Sequence, residues 1–282
     1  MLSICAHAET KRALLIGVSD YPTHRAFADG SWSKIHGSND VDLINETLKK
    51  QGFKIAALKN KNASADKIRK AFAKLVNECN KGDMVYIQFS GHGQAVEDMS
   101  GDETDGWDEA IIPYDAMMQY KLGIYEGDKH ILDDELNLCL NSIRKKVGKD
   151  GFVYVVLDAC HMGGASRGEE QDEDEVFVRG TDKGFSPSGK KYAPRIDNRS
   201  NIKITSSNEA AKICILEACR AYQTNAEIKQ GGKYYGPLTY YINQYLSSHD
   251  LTSNAKWIER VRTMMGKDKR LIKQNMVIET SF

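Results

Sequence analysis

The chain has 282 residues, 41% of them hydrophobic, enough to bury a sizeable core in one α/β domain with appendages. Lys plus Arg and Asp plus Glu stand at 39 each, so bulk charge makes no case for nucleic-acid binding or for attraction to a membrane surface. No apolar stretch is long enough to span a bilayer, and the six cysteines lack the CxxC spacing of a zinc site and the density of a disulfide scaffold.

Residues 1–10 open with MLSICAHA, which ends in the small-x-small pattern Ala6-His7-Ala8. Without a basic leader, the segment has two readings, a frayed terminus of a cytoplasmic protein or the remnant of a secretory signal; the second is preferred and implies export from a bacterium. Residues 12–18 (RALLIGV) form a first strand. After a polar loop, Ser38 or Asn39 is expected to cap a helix through Gln51, with Val41, Ile44 and Leu48 on its inner face and Asp40 in its first turn. Residues 53–58 read as a second strand, and Ser64 caps a second helix carrying Ile68, Phe72 and Leu75 inward.

Residues 84–89 (MVYIQF) are a continuous apolar run that stops at Ser90-Gly91-His92-Gly93, and residues 152–157 (FVYVVL) are another that stops at Asp158-Ala159-Cys160-His161. A helical segment lies between them, so the pair reads as parallel neighbours with both carboxyl ends facing one crevice, where ligands of open α/β sheets bind. A lone cysteine usually fills core, and Cys79, Cys139 and Cys214 are read that way. The coincidence of Cys160 and His92 in Gly-rich turns just past two buried strands favours chemistry instead: Cys160 as nucleophile, His92 as its base, and the backbone amides of Gly93 and Cys160 as donors to an oxyanion. Cys219 also follows a strand, residues 212–216, but no His-Gly turn accompanies it, so it is read as structural.

Residues 97–115 are crowded with acids, which is either a solvated loop or a site for a hard cation with oxygen ligands. A helix follows from Asp133, with Asp134 beside it as an alternative N-capping pair, and Leu136, Leu140 and Ile143 inward. Residues 164–210 break the sheet pattern with the acidic run EEQDEDE and then Gly, Ser, Pro and Lys in quantity, and they read as a mobile linker. Helices are expected from Pro237 and from Asn254, and a last strand from Asn275. Tyr234 and Tyr235, beside glycines, have two readings, an edge of a substrate groove or packing.

Taken together, GSNDV at 37–41, SGHG at 90–93, GDETDGWDEAIIPYD at 101–115 and DACH at 158–161 resemble the caspase-like cysteine peptidases, most of all the metacaspases and their bacterial relatives, the orthocaspases. The resemblance runs from about Lys11 to the end, with Ala159 and Met162 as departures beside the nucleophile. It implies a caspase-hemoglobinase-like α/β fold, a mostly parallel central sheet with helices on both faces, divided into a large segment (11–163), a linker (164–210) and a small segment (211–282). It implies a monomeric cysteine endopeptidase acting on peptides with Arg or Lys before the scissile bond, with Asp40 and Asp158 gripping the basic side chain. An alternative for Asp158 is that it orients the site through backbone amides.

Calcium is implied at Asp108, Asp133 and Asp134, although the fourth acid of that family's site is Arg167 here; no organic cofactor is expected. Self-cleavage is expected in the linker, with Arg167, Arg179, Lys183, Lys190 and the adjoining Lys191 as exposed candidates. A non-proteolytic binding or regulatory module on the same fold is the rival reading, and a thiol acyl transferase a third.

Overall fold

The two apolar runs that end at His92 and Cys160 lie side by side in the computed structural model, which describes residues 10–23, 31–161, 176–197, 204 and 207–282. In chain order the elements are β1 (Lys11–Gly17), α1 (Gly37–Lys50), β2 (Lys54–Lys59), α2 (Ala65–Glu78), β3 (Met84–Ser90), β4 (Gly93–Glu97), β5 (Trp107–Ile111), β6 (Ile131–Leu132), α3 (Asp133–Val147), β7 (Phe152–Asp158), β8 (Lys212–Glu217), β9 (Ile228–Gln230), β10 (Lys233–Tyr235), α4 (Pro237–Leu246), α5 (Ile258–Lys267) and β11 (Val277–Thr280). The central sheet runs β11-β8-β7-β3-β1-β2, parallel throughout except for β11. The antiparallel ribbon β4-β5-β6 and the hairpin β9-β10 stand beside it.

The inner strands are nearly continuous apolar runs because both faces of the sheet are covered, Gln88 of β3 being a buried polar exception. Alternation then divides the core in two. Ala13, Leu15, Tyr86, Tyr154, Val156 and Leu216 meet α1, α4 and α5 through Ile44, Leu48, Ile242 and Val261. Leu14, Ile16, Val85, Ile87, Val153 and Val155 meet α2 and α3 through Ile68, Phe72, Leu136 and Leu140. Truncating one of these, such as Leu15 with no exposed surface, would cost about 2–5 kcal/mol. The edge strand β2 carries Lys54 and Lys59, which discourage pairing with another sheet. Among the described residues no helix is long and apolar enough to cross a membrane.

Two local expectations need correction, and a third lies almost wholly outside the described residues. Helix α1 starts at Gly37, with His36 at its N-cap position and no side-chain cap; Ser38 instead takes its backbone N–H to the Ser19 hydroxyl, 2.9 Å away. Gly37 packs so tightly that a Cβ there would clash with the Ser90 and Val18 carbonyl oxygens, and this lets α1 begin directly against the ends of β1 and β3. The linker is not wholly free of the body: residues 176–197 are bound to it, while the rest of 164–210 up to 203 lies outside the described residues. The proposed signal remnant, residues 1–10, also lies outside them apart from its last residue.

The register of the central pair sets up the crevice. Ser90 of β3 is opposite Asp158 of β7, so His92 and Cys160 each sit two residues beyond matched strand ends.

Candidate active site

His92 is fully buried, its ring stacked on Trp32 at 4.9 Å and tilted against Tyr21 at 5.1 Å. Its Nε2 lies 2.9 Å from the Ser33 carbonyl oxygen, which can only accept, so Nε2 carries the hydrogen and Nδ1 the lone pair. Among the described residues Nδ1 has no hydrogen-bond partner. Burial pushes the imidazole pKa down to about 4, and the nearby Arg179 charge acts in the same direction, so the ring is neutral at physiological pH. The Tyr21 hydroxyl fixes the turn, accepting the His92 N–H at 3.0 Å and donating to the Ile112 carbonyl at 3.1 Å.

Cys160 is buried, and its thiol donates to the Gln223 carbonyl at 2.7 Å. Cys219 points its thiol at the same oxygen, 3.6 Å away. Hydrogen bonding with Cys160, reinforced by burial, holds the Cys219 thiol well above the ordinary range, which keeps it protonated.

Arg179 does not behave as the exposed linker residue expected. Its side chain has no exposed surface and fills a recess walled by three carboxylates. Nη1 lies 2.6 Å from Asp40 Oδ2 and donates to the Asp158 carbonyl at 3.1 Å; Nε donates to Glu227 Oε1 at 3.0 Å, and Nη2 is 2.9 Å from that oxygen. Asp158 Oδ1 is 3.5 Å from Nη1, while its carboxylate also accepts from Thr239 N–H, Thr239 hydroxyl and Asn225 Nδ2 at 2.7–2.8 Å. Asp158 thus faces the Arg179 cation and also accepts one backbone amide, that of Thr239. Glu227 is braced from behind by His36, whose N–H and Nδ1 lie 2.7 and 2.6 Å from its two oxygens.

Three anions around one cation leave excess negative charge. Burial opposes ionisation of Arg179, but Asp40, Glu227 and Asp158 outweigh it and keep the guanidinium protonated. Burial, together with Asp158 and Glu227, lifts Asp40 to about 7. Gly236 closes the floor, where a Cβ would collide with the Asp158 carboxylate and Arg179 Nη1.

The backbone of Arg179 is held as firmly as its side chain. Its carbonyl oxygen accepts the Cys160 N–H at 2.8 Å and the Gly93 N–H at 3.4 Å, so the two amides named from the sequence converge on one oxygen. Upstream, Arg179 N–H donates to Asn225 O at 3.0 Å and Glu227 N–H to Phe177 O at 2.9 Å, and Val178 forms an antiparallel bridge with Ala226. Downstream, Phe185 N–H donates to Ala95 O and Glu97 N–H to Phe185 O, which lays the chain along β4 and buries the Phe185 ring against Tyr125 and His130. Of the other cleavage candidates, Lys183 and Lys190 are exposed and outside the recess, Lys190 with its Nζ 5.0 Å over Trp107; Lys191 is exposed too, and Arg167 lies outside the described residues.

A second cluster of acids lies apart from the recess. Asp98, Asp102 and Asp108 each present an oxygen within 4.8 Å of the others. Burial and neighbouring carboxylates raise Asp108 to about 6 and Asp133 to about 7, with Asp134 contributing to both. Asp133 Oδ1 is buried without a hydrogen-bond partner among the described residues. Such a donor set suits a hard divalent cation.

Sequence reasoning did not assign roles to Glu227, His36, Asn225, Tyr21 or Trp32. Glu227 belongs to the stretch QTNAE at 223–227, which the resemblance covers, yet its partners are 48 and 191 residues away and no local pattern reveals them.

A crevice of this kind, at the carboxyl ends of the central strands of a six-stranded sheet, places the fold among the caspase-like α/β architectures. The chain belongs to the caspase-domain family of cysteine-type peptidases, whose model matches residues 10–281. It is 23% identical over 286 residues to Metacaspase-1 of Schizosaccharomyces pombe, which covers 91% of this chain and 64% of that protein. It is 33% identical over 96 residues to Metacaspase-1 of Arabidopsis thaliana, covering 34% of this chain and 23% of that one. The chain thus spans about two thirds or less of these relatives. Among solved structures, a Geobacter sulfurreducens protein superposes with a TM-score of 0.64 at 20% identity, covering 96% of this chain and 93% of that one. Caspase-1 from Spodoptera frugiperda does so with a TM-score of 0.56 at 12% identity, over 97% and 89% of the two chains. At these identities the likeness speaks for the fold, which agrees with the mostly parallel sheet expected from the sequence.

Proposed function

We propose that the protein is a cysteine endopeptidase that cuts after arginine and whose first substrate is its own Arg179–Gly180 bond. The observation that carries this reading is the Arg179 carbonyl oxygen, 2.8 Å from the Cys160 N–H, with its side chain lodged among Asp40, Asp158 and Glu227. The cut begins when the Cys160 thiol turns away from Gln223 O and gives its proton to His92 Nδ1. The thiolate attacks the Arg179 carbonyl carbon, a C–S bond forms, and the carbonyl electron pair moves onto oxygen, where the Cys160 and Gly93 amides stabilise it. Collapse breaks the C–N bond, Gly180 leaves as an amine with the proton from His92, and water then hydrolyses the thioester with His92 as base.

Arginine is favoured over lysine because Glu227 engages Nε and Nη2 while Asp40 engages Nη1, a fork that a single ammonium nitrogen does not span. Asp108, Asp133 and Asp134, joined by Asp98 and Asp102, would hold calcium; a bound cation would offset the burial and mutual repulsion that raise Asp108 and Asp133. Calorimetry with calcium chloride tests that site, and no heat on titration would count against it.

For the main reading, incubation of wild type should yield a fragment with Gly180 at its N-terminus, absent in Cys160→Ala and in Arg179→Ala. Peptides ending in Arg should release a fluorophore and those ending in Asp should not. An inert wild type would favour the non-proteolytic module, with residues 176–179 as a permanent part of the fold.

A further inference from the structure

The segment before Arg179 carries more than the arginine. Side chains alternate along an extended strand, so Phe177 and Arg179 face the same wall while Val178 faces away. The Phe177 ring meets His36 edge-on at 4.5 Å and 90°, and Tyr234 at 4.7 Å and 69°. His36 and Tyr234 are themselves stacked, 5.1 Å apart at 21°, so they present one continuous aromatic platform. Neither ring is free to drift: His36 is tied to Glu227, Tyr234 pairs with Lys229 across the β9-β10 hairpin, and its carbonyl accepts Asn39 Nδ2 at 3.0 Å. The bond from Glu227 N–H to Phe177 O fixes the register, which delivers whatever side chain stands two residues before the arginine onto this platform. By contrast Val176, the residue before Phe177, is 71% exposed.

We propose that His36 and Tyr234 form a specificity subsite that selects peptide substrates of the sequence aromatic-X-Arg, with the ring two residues before the cleaved bond's arginine. The inference rests on residues 176–179 lying in the site as a substrate does. His36 joins the two requirements, since the residue that supports the ring also braces the carboxylate that binds the guanidinium.

The test uses the full chain, incubated with calcium chloride until processing is complete, and three fluorogenic peptides, Ac-Val-Phe-Val-Arg, Ac-Val-Ala-Val-Arg and Ac-Val-Phe-Val-Asp. Two edge-to-face contacts plus the area of the ring should raise kcat/KM for the Phe peptide about tenfold or more over its Ala counterpart. In Tyr234→Ala that ratio should fall below about threefold. Equal turnover of the two arginine peptides by wild type overturns the aromatic subsite and leaves arginine specificity standing. A ratio unchanged in folded Tyr234→Ala overturns the assignment to this platform, and if that variant does not fold, the wild-type ratio decides alone. Turnover of the Asp peptide only, or of none, overturns the underlying substrate reading, and this inference falls with it.

Discussion

Taking away the guanidinium of Arg179 leaves Asp40, Asp158 and Glu227, all buried, facing one another. Removing one partner of a buried pair costs about 3–5 kcal/mol because the remaining charge is left uncompensated. For a chain of this size that corresponds to a melting temperature lower by roughly 6–12 °C at the small end of the range. The comparison is Cys160→Ala with Cys160→Ala/Arg179→Ala, so that no chain is cut, followed by circular dichroism at pH 8 and pH 5. Asp40 stands at about 7 even beside the cation, and losing the cation lifts it further above its unfolded value. Its contribution is therefore most favourable below the unfolded pKa and is lost as pH rises through the folded value, so the deficit should be large at pH 8 and small at pH 5. Arginine amide should restore part of the loss at pH 8. Equal melting of the two proteins at pH 8, or the same deficit at both pH values, would refute the three-acid recess as the seat of the arginine.

Further outcomes follow from other parts of the molecule. Glu227→Gln weakens the hold on Nε and Nη2, and the Arg-over-Lys ratio in kcat/KM should drop about tenfold, read on matched peptides. Asp133 is raised to about 7, so its ionisation destabilises the calcium-free protein as pH climbs from near 4 through 7; Asp133→Asn should melt higher than wild type at pH 8, match it near pH 4, and lose the thermal shift given by calcium. Gly37→Ala forces a Cβ against the Ser90 and Val18 carbonyls and should lower stability by about 2 kcal/mol or more, measured by urea unfolding.

The central pair of strands was legible because β3 and β7 are buried on both faces and so read as unbroken apolar runs, and their matched ends place His92 and Cys160 without further information. The linker was read as mobile because Gly, Ser and Lys dominate it, whereas residues 176–197 are held by backbone hydrogen bonds and by side-chain contacts, such as those of Arg179 and Ser186, whose partners are remote in sequence and leave no mark on local composition. One signal was there: Val176, Phe177 and Val178 form an apolar island just before Arg179 in otherwise polar sequence. Ser38 looked like a cap and serves a loop instead, because Gly37 brings the helix start against the sheet ends. Asp40 and Asp158 came from a family pattern, but Glu227 and its brace His36 are joined only by the folded chain.

Severing a peptide link and vacating a cleft are different events in this molecule. Breaking Arg179–Gly180 removes a single covalent connection and leaves the arginine's ion pairs, the Asn225 and Glu227 backbone bonds and the Phe177 ring contacts intact. The chain end that such a cut would make is a tightly seated plug. Appearance of the smaller fragments on a gel should precede turnover of added peptides, by the time that plug takes to leave.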